Sequence, residues 1–166
     1  HTWLRRQRQM CIRDSYFNAP LSKAFTAGLK QQFAPLLAKQ TPVAQLNSLL
    51  AWMHQSLVYQ IDEQQFGREH YMHPEELALH KASDCEDRAF LLVQLITDLL
   101  ALPAVGVTYP GHVAAAVALP AEHSPELPPT FVYQGKNYWL VDPTYIGAKV
   151  GDVMPQFRSL QAQVVE

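Results

Sequence analysis

Apolar residues recur every three or four positions in two stretches near the start of the chain, and this spacing predicts two amphipathic helices. The first apolar stripe follows Pro20 and consists of Leu21, Phe25, Leu29, Phe33, Leu36 and Leu37. The second consists of Val43, Leu46, Leu49, Leu50, Met53 and Leu57. Thr41 followed by Pro42 is typical of a helix N-cap with proline at the first helical position, so we expect the second helix to begin there.

A third helix is predicted over residues 85–101. Its middle is apolar on nearly all sides, which is typical of a central buried helix, and Pro103 prevents the helix from continuing. The residues before it, 60–82, are mostly polar and predict a long connection with one helical turn at 74–79. Loops of this length usually have a function.

Short apolar runs replace the helical pattern after Pro103. They predict strands over residues 104–109, 112–119, 131–133 and 138–142. Gly135 favours a hairpin between the last two strands, and residues 121–130, with three prolines, predict an exposed loop. Residues 146–166 are expected to be irregular. Helices followed by strands predict one α+β domain, with the central helix packed on an antiparallel sheet.

Composition indicates an ordinary globular domain. The chain has 166 residues, of which 48% are hydrophobic and 17% charged, enough for one hydrophobic core. The net charge is −2 and the basic residues are dispersed beyond the first eight positions, which argues against a nucleic-acid partner or an anionic membrane surface. No run of about 18 apolar residues is present, so we expect no membrane-spanning segment.

Residues 1–15 are predicted to be a non-native N-terminus. A basic, glutamine-rich run leads into residues 10–14, which resemble a translated sequencing-adaptor sequence. We therefore expect the native domain to cover residues 16–158. The tail that follows, over residues 159–166, is expected to be truncated. Because the natural start is hidden, a periplasmic and a cytoplasmic location are both open.

Three residues that carry chemistry occur in the order Cys85, His112 and Asp142. Cys11 lies in the segment predicted to be non-native, so Cys85 is expected to be the one native cysteine, which excludes an internal disulfide. Cys85 falls in the first turn of the third helix, where the positive end of the helix dipole favours the thiolate.

His112 begins a predicted strand and Asp142 ends one. The start of an antiparallel strand lies level with the end of its neighbour, so if these two strands pair, both side chains are expected at the same edge of the sheet, near Cys85. Pro143 favours an extended conformation at Asp142. In such a catalytic set Cys85 is the nucleophile, His112 accepts its proton and later protonates the leaving group, and Asp142 fixes the imidazole tautomer.

Sequence motifs around these residues resemble those of the transglutaminase-like superfamily, specifically its bacterial cysteine peptidases. The motifs are Asp84–Ala89, Tyr109–His112 and Val141–Tyr145, and Asp62–Glu69 resembles a segment that precedes the cysteine in that family. The likeness covers roughly residues 40–155. It implies a papain-like fold and a bacterial cysteine hydrolase that attacks peptide or amide bonds of a peptide or protein substrate through an acyl-enzyme.

The resemblance leaves the fate of the acyl group open. Transfer to water gives a peptidase or amidase, and transfer to an amine gives a protein cross-link.

The alternative outside enzymes is a catalytically silent module of the same fold that binds a peptide or a partner domain. An intact set of Cys85, His112 and Asp142 favours the enzyme, whereas a His112 that points away from Cys85 favours the module. The sequence does not predict the oligomeric state.

Three carboxylates, on Asp84, Glu86 and Asp87, lie close to the thiol and disfavour its ionisation. Ser83 with Glu86 matches a helix capping box, which is the interpretation we prefer. A second interpretation pairs Arg88 with one of the carboxylates. The resemblance implies a third, a calcium ion held by Asp84, Glu86 and Asp87, because some bacterial transglutaminase-like peptidases bind calcium through acidic residues that flank the cysteine. No other cofactor is expected.

Histidines before Cys85 raise the alternative of a zinc site. The ligands in that alternative are His70, His73 and His80 together with Cys85. Their spacing fits no common structural zinc pattern, so we expect them to be loop residues. The amide of Gln64 or Gln65 is a candidate donor for an oxyanion hole, with Gln65 taken as the candidate, and the backbone N–H of Cys85 is an equal alternative.

Overall fold

The computed structural model describes residues 11–165, so residues 1–10 of the segment predicted to be non-native lie outside it. Residues 11–17 are helical. The helices that follow are α1 (Lys23–Leu37), α2 (Pro42–Ser56), α3 (Asp62–Gln65), α4 (Pro74–Leu77) and α5 (Cys85–Leu100). The strands are β1 (Val58–Tyr59), β2 (Ala82–Ser83), β3 (Ala104–Tyr109), β4 (His112–Ala118), β5 (Phe131–Tyr133), β6 (Lys136–Val141) and β7 (Gln163–Val164).

The strands form two sheets of different size. Strands β3 to β7 form an antiparallel sheet in the order β5-β6-β4-β3-β7, while β1 and β2 form a short parallel pair. Helix α5 packs against β3 and β4 of the larger sheet. The predicted α+β class is therefore confirmed. None of the helices in the described part of the chain is long and apolar enough to cross a membrane.

The first helices begin where the sequence signals them. The hydroxyl of Ser22 accepts a hydrogen bond from the N–H of Phe25 at 3.2 Å, which caps α1. The hydroxyl of Thr41 accepts one from the N–H of Ala44 at 3.4 Å, and Pro42 is the first residue of α2. These side chains satisfy N–H groups that have no partner within the helix.

Helix α5 lies in the core, and all its residues from Glu86 to Ile96 are buried. One face of β4 packs with it in the main hydrophobic cluster, through Val113, Ala115 and Val117. The opposite face, with Ala114, Ala116 and Ala118, belongs to a second cluster that includes residues from the end of the chain. The sheet is thus covered on both sides, and every residue of β4 is buried.

Two parts of the chain contain more regular structure than the sequence predicts. In the connection over residues 60–82, α4 confirms the helical turn predicted at 74–79, whereas α3 and the start of β2 were not predicted. Residues 146–166, predicted to be irregular, contribute β7, which pairs with β3 through Val107 and Val164. The N–H of Val165 also donates to the carbonyl of Gly106 at 2.9 Å. Elements of two to four residues are too short to show a hydrophobic period, and the pairing of β7 depends on long-range contacts.

Candidate active site

The helix that carries Cys85 begins directly after strand β2. Asp84 is its N-cap, and one carboxylate oxygen accepts the N–H groups of Glu86 at 3.0 Å and Asp87 at 3.1 Å. The predicted capping box with Ser83 is wrong, because Ser83 lies in β2, one residue before the cap, and its hydroxyl accepts a hydrogen bond from Arg88. A capped first turn fixes the position of Cys85 in the helix.

The larger sheet brings His112 and Asp142 together, as predicted. Strands β4 and β6 are antiparallel with Ala115 opposite Val141, so the first residue of β4 lies near the residue that follows β6. Nε2 of His112 donates to Oδ2 of Asp142 at 2.8 Å, and the two side chains are 8% and 1% exposed. The buried pair is the best-defined polar contact of the candidate site.

The carboxylate of Asp142 is held through its second oxygen as well. Oδ1 accepts the backbone N–H groups of Thr144 at 2.9 Å and Tyr145 at 3.2 Å. Such a turn after an aspartate is a common local structure, and it leaves Oδ2 free for the imidazole. The orientation of His112 is therefore set by a carboxylate that is itself fixed by the backbone.

Two residues that the sequence reasoning missed pack around this pair. The ring of Phe157 stacks on the ring of His112, with centroids 5.3 Å apart and an interplanar angle of 9°. Nε2 of His54 donates to the backbone carbonyl of Asp142 at 3.2 Å, and Nδ1 accepts the N–H of Gly147 at 3.4 Å. No sequence pattern marks either residue, because their contacts join distant parts of the chain.

The thiol of Cys85 lies beside the start of β4. The backbone N–H of Val113 donates toward the sulfur, which brings the thiol next to the residue that follows His112. Among the described residues, however, the sulfur and the imidazole of His112 make no hydrogen bond with each other. The structure thus joins two of the three predicted catalytic side chains and brings the third to their neighbourhood.

The environment of Cys85 opposes ionisation of the thiol. Burial, and next the negative charge of Asp84, raise its pKa to about 12, although the N–H of Val113 acts in the opposite direction. The prediction that the helix N-terminus favours the thiolate is therefore wrong for this environment. Desolvation and an adjacent carboxylate outweigh the helix dipole, so the resting thiol is neutral at pH 7.

An acidic cluster lies next to Cys85, with a different membership from the predicted one. Oxygens of Asp62, Asp84 and Asp87 all lie within 4.8 Å of one another. Glu86 instead forms an ion pair with Arg13, whose Nε donates to Oε1 at 2.6 Å. The proposed calcium set therefore loses Glu86 and gains Asp62, which the sequence reasoning had noted only within a motif. Arg13 lies in the segment predicted to be non-native.

The cluster contains buried oxygens without partners. Oδ1 of Asp62 and Oδ2 of Asp87 are buried and accept no hydrogen bond in the described structure. Their other oxygens accept the backbone N–H groups of His70 at 2.6 Å and Met72 at 2.8 Å. Burial, and next the charge of Asp84, raise the pKa of Asp87 to about 8. The cluster thus holds acidic groups whose ionisation burial opposes, and two of its buried oxygens have no partner.

The remaining candidates have other partners. Nε2 of Gln65 lies 3.4 Å from Nδ1 of His80, so the nitrogen that an oxyanion hole would need already contacts a side chain. His70 contacts Glu76 at 3.2 Å, and His73 caps helix α4. Within residues 11–165 the acidic cluster is the only group of three side chains with metal-ligand geometry, and no histidine belongs to it.

Arg88 forms no ion pair with the carboxylates around Cys85, which corrects the second predicted interpretation. Its guanidinium donates to Ser83 and to two backbone carbonyls, those of Leu57 and Pro143. Arg88 therefore gives the carboxylates near the thiol no direct charge compensation.

Comparisons with known proteins add no assignment to this geometry. The chain matches no protein-family model, no curated protein and no solved structure. The protein is therefore described by its own fold and site. It is an α+β domain in which the buried His112–Asp142 pair and the acidic cluster lie near Cys85 at a helix N-terminus.

The acidic cluster predicts a pH-dependent stability. The pKa of Asp87 is raised to about 8 in the folded state from an ordinary value of 3.8, so the stability that its protonated form contributes is full below about pH 4 and is lost progressively as the pH rises to about 8. We expect Asp87→Asn, measured with a chelator present, to raise the melting temperature more at pH 8.5 than at pH 5. Glu122→Gln, on an exposed loop, is the matched control. An equal change at both pH values would contradict this account.

Proposed function

We propose that the protein is a cysteine hydrolase of peptide or amide bonds, with a papain-like arrangement of the transglutaminase-like type. The observation that carries the proposal is the buried hydrogen bond of 2.8 Å between His112 and Asp142, next to a cysteine at a helix N-terminus. A carboxylate that accepts Nε2–H keeps the proton on that nitrogen, which leaves Nδ1 of His112 as the base.

In the proposed mechanism Cys85 attacks the carbonyl carbon of the scissile amide. Nδ1 of His112 takes the thiol proton as the carbon–sulfur bond forms, and the imidazolium then gives that proton to the departing amine nitrogen as the carbon–nitrogen bond breaks. The acyl-enzyme is hydrolysed when His112 removes a proton from an attacking water and the thiol leaves. Asp142 stabilises the imidazolium and remains ionised throughout.

The high pKa of the thiol decides the order of these events. With a pKa of about 12, roughly one thiol in 10⁵ is ionised at pH 7. A preformed thiolate is therefore not the reacting species, and His112 removes the proton during the attack. This requires the sulfur to come within hydrogen-bond distance of Nδ1, a contact that often tightens only when substrate binds.

The oxyanion that forms on the carbonyl needs hydrogen-bond donors. The backbone N–H of Cys85 lies at the start of α5, where the N–H groups have no partner within the helix and the dipole is positive. We assign it this role in preference to Gln65, whose amide nitrogen contacts His80. Stabilisation of this kind is a large part of catalysis by acyl-transfer enzymes.

A second candidate function is a catalytically silent module that binds a peptide or a partner domain. One observation favours it: the thiol of Cys85 and the ring of His112 make no direct hydrogen bond within residues 11–165. The buried hydrogen bond between His112 and Asp142 beside Cys85 favours the enzyme. An amine acceptor in place of water would make the same acyl-enzyme a cross-linking intermediate, so a product assay should contain both acceptors.

The acidic cluster fits a calcium ion. Asp62, Asp84 and Asp87 offer converging carboxylate oxygens, of which Oδ1 of Asp62 and Oδ2 of Asp87 have no other partner. Calcium prefers oxygen ligands of this kind. When bound, the cation would neutralise charge next to Cys85 and so lower the pKa of the thiol.

Alkylation of Cys85 by iodoacetamide tests the role of His112. In a Cys11→Ser background, we expect His112→Ala to lower the rate at pH 7 by about 10²-fold, the usual contribution of a general base, and to have little effect near pH 10. Mass spectrometry gives the rate across pH. His123→Ala, in an exposed loop, is the control and should react like the parent protein. Equal rates for His112→Ala and the parent at every pH would favour the silent module.

Calcium removal tests the acidic cluster. Addition of calcium after chelation should raise the melting temperature and accelerate alkylation of Cys85 at pH 8, with a stabilisation of about 3 kcal/mol at a hundred times the dissociation constant. Asp62→Asn should abolish both responses, whereas Glu86→Gln should retain them, because Glu86 lies outside the cluster. The same melting temperature and rate with calcium and with chelator would exclude the ion.

A further inference from the structure

Arg88 is a completely buried cation that the proposed mechanism does not use. Its side chain is 0% exposed, and no carboxylate in the described structure lies within ion-pair distance of it. The guanidinium uses its donors on neutral oxygens. Nε donates to the hydroxyl of Ser83 at 3.1 Å, Nη1 to the carbonyl of Pro143 at 3.3 Å and Nη2 to the carbonyl of Leu57 at 2.9 Å.

Burial of this group without a counter-ion has a cost. A buried charge loses several kcal/mol of hydration, and neutral hydrogen-bond acceptors return only part of it. The helix is apolar beyond its first turn, yet Arg88 is buried at its start with Glu86 and Asp87 and forms an ion pair with neither. Packing alone therefore does not explain why the guanidinium of Arg88 is buried at this position.

The three acceptors of Arg88 belong to segments that carry the candidate catalytic residues. Ser83 precedes the N-cap of α5 by one residue and Cys85 by two. Pro143 directly follows Asp142, whose carboxylate orients His112. Leu57 precedes β1, the strand that pairs with β2 and so supports the approach to the cysteine. The guanidinium of Arg88 thus connects the segment that precedes Cys85 with the segment that follows Asp142.

We propose that Arg88 is a positioning residue that fixes the Asp142–Pro143 segment against the start of helix α5, and so sets the alignment of His112 with Cys85. The proposal rests on the proposed function for the meaning of that alignment. The guanidinium is suited to the task, because its donors are held in one rigid plane and satisfy several acceptors at once.

The charge of Arg88 has a second consequence for the same residues. Burial is the largest influence on Arg88 and lowers its pKa, while the nearby carboxylates of Asp84 and Asp142 act in the opposite direction. Its guanidinium carbon also lies 5.6 Å from the ring centroid of Tyr59, which shields one side of the cation. Arg88 therefore provides the positive charge that partly offsets the carboxylates around the thiol.

Arg88→Lys is the most informative variant, since it retains the charge but loses the planar fork. A single ammonium group cannot reach all three oxygens with the same geometry. Arg88→Gln removes the charge while it retains one donor group. Gln94→Met is the matched control, because Gln94 is also buried on α5 and donates to a backbone carbonyl, that of Phe17 at 2.5 Å, away from the site.

Two readouts at a temperature where all variants are folded distinguish positioning from stability. The first is the rate of Cys85 alkylation at pH 7, and the second is the ¹⁵N shift of the His112 ring, assigned with His112→Gln, which reports the proton on Nε2. We expect Arg88→Lys to lower the rate at least tenfold and to change the ring shifts toward a mixture of tautomers. Gln94→Met should lower the melting temperature and change neither readout.

The proposal is overturned if Arg88→Lys leaves the His112 ring shifts at their parent values, or if, in a protein whose alkylation depends on His112, it alters the rate no more than Gln94→Met does. Should Arg88→Gln fail to fold, Arg88→Lys alone decides. The ring shifts do not depend on activity. A protein whose parent form shows no assistance from His112, but whose ring shifts change in Arg88→Lys, would contradict the proposed function while it supports the positioning role.

Discussion

Burial of ionisable side chains in the first turn of helix α5 is the constraint on which the rest of the site depends. Asp84, Glu86, Asp87 and Arg88 are each at most 9% exposed. Charged groups tolerate such burial only when hydrogen bonds or opposite charges surround them. The neighbouring segments supply these contacts: backbone N–H groups bind the carboxylates, and backbone carbonyls bind the guanidinium. The polar start of one helix therefore organises the loops around Cys85.

The sequence predicts the parts of the molecule that depend on local pattern. The spacing of apolar residues predicts α1, α2 and α5. The contact between His112 and Asp142 could be expected on the condition that their strands pair, and the structure shows that β4 and β6 do so. Contacts between distant segments leave no such pattern. Asp62 joins the acidic cluster from a one-turn helix, and Phe157 reaches His112 from near the end of the chain.

The electrostatics of the thiol were the least predictable property. The position of Cys85 at a helix N-terminus suggests a low pKa, but the balance depends on how far the chain buries the sulfur and how close Asp84 comes to it. The proposed chemistry therefore relies on His112 as a base acting during attack. Any positive charge that offsets Asp84, whether from Arg88 or from a bound cation, therefore affects the reactivity of the Cys85 thiol.

The most direct test of the proposed function is capture of an acyl-enzyme on Cys85. After mixing with excess 4-nitrophenyl acetate and rapid acid quench, a Cys11→Ser protein should show a burst of one nitrophenolate per chain, an acetyl group on Cys85 by peptide mapping, and then slower turnover as water releases the acetyl group. Asp142→Asn should slow the burst at least tenfold, because the tautomer of His112 is no longer fixed. Acetylation of Cys85 at the same rate in both proteins, with no turnover, would contradict the account.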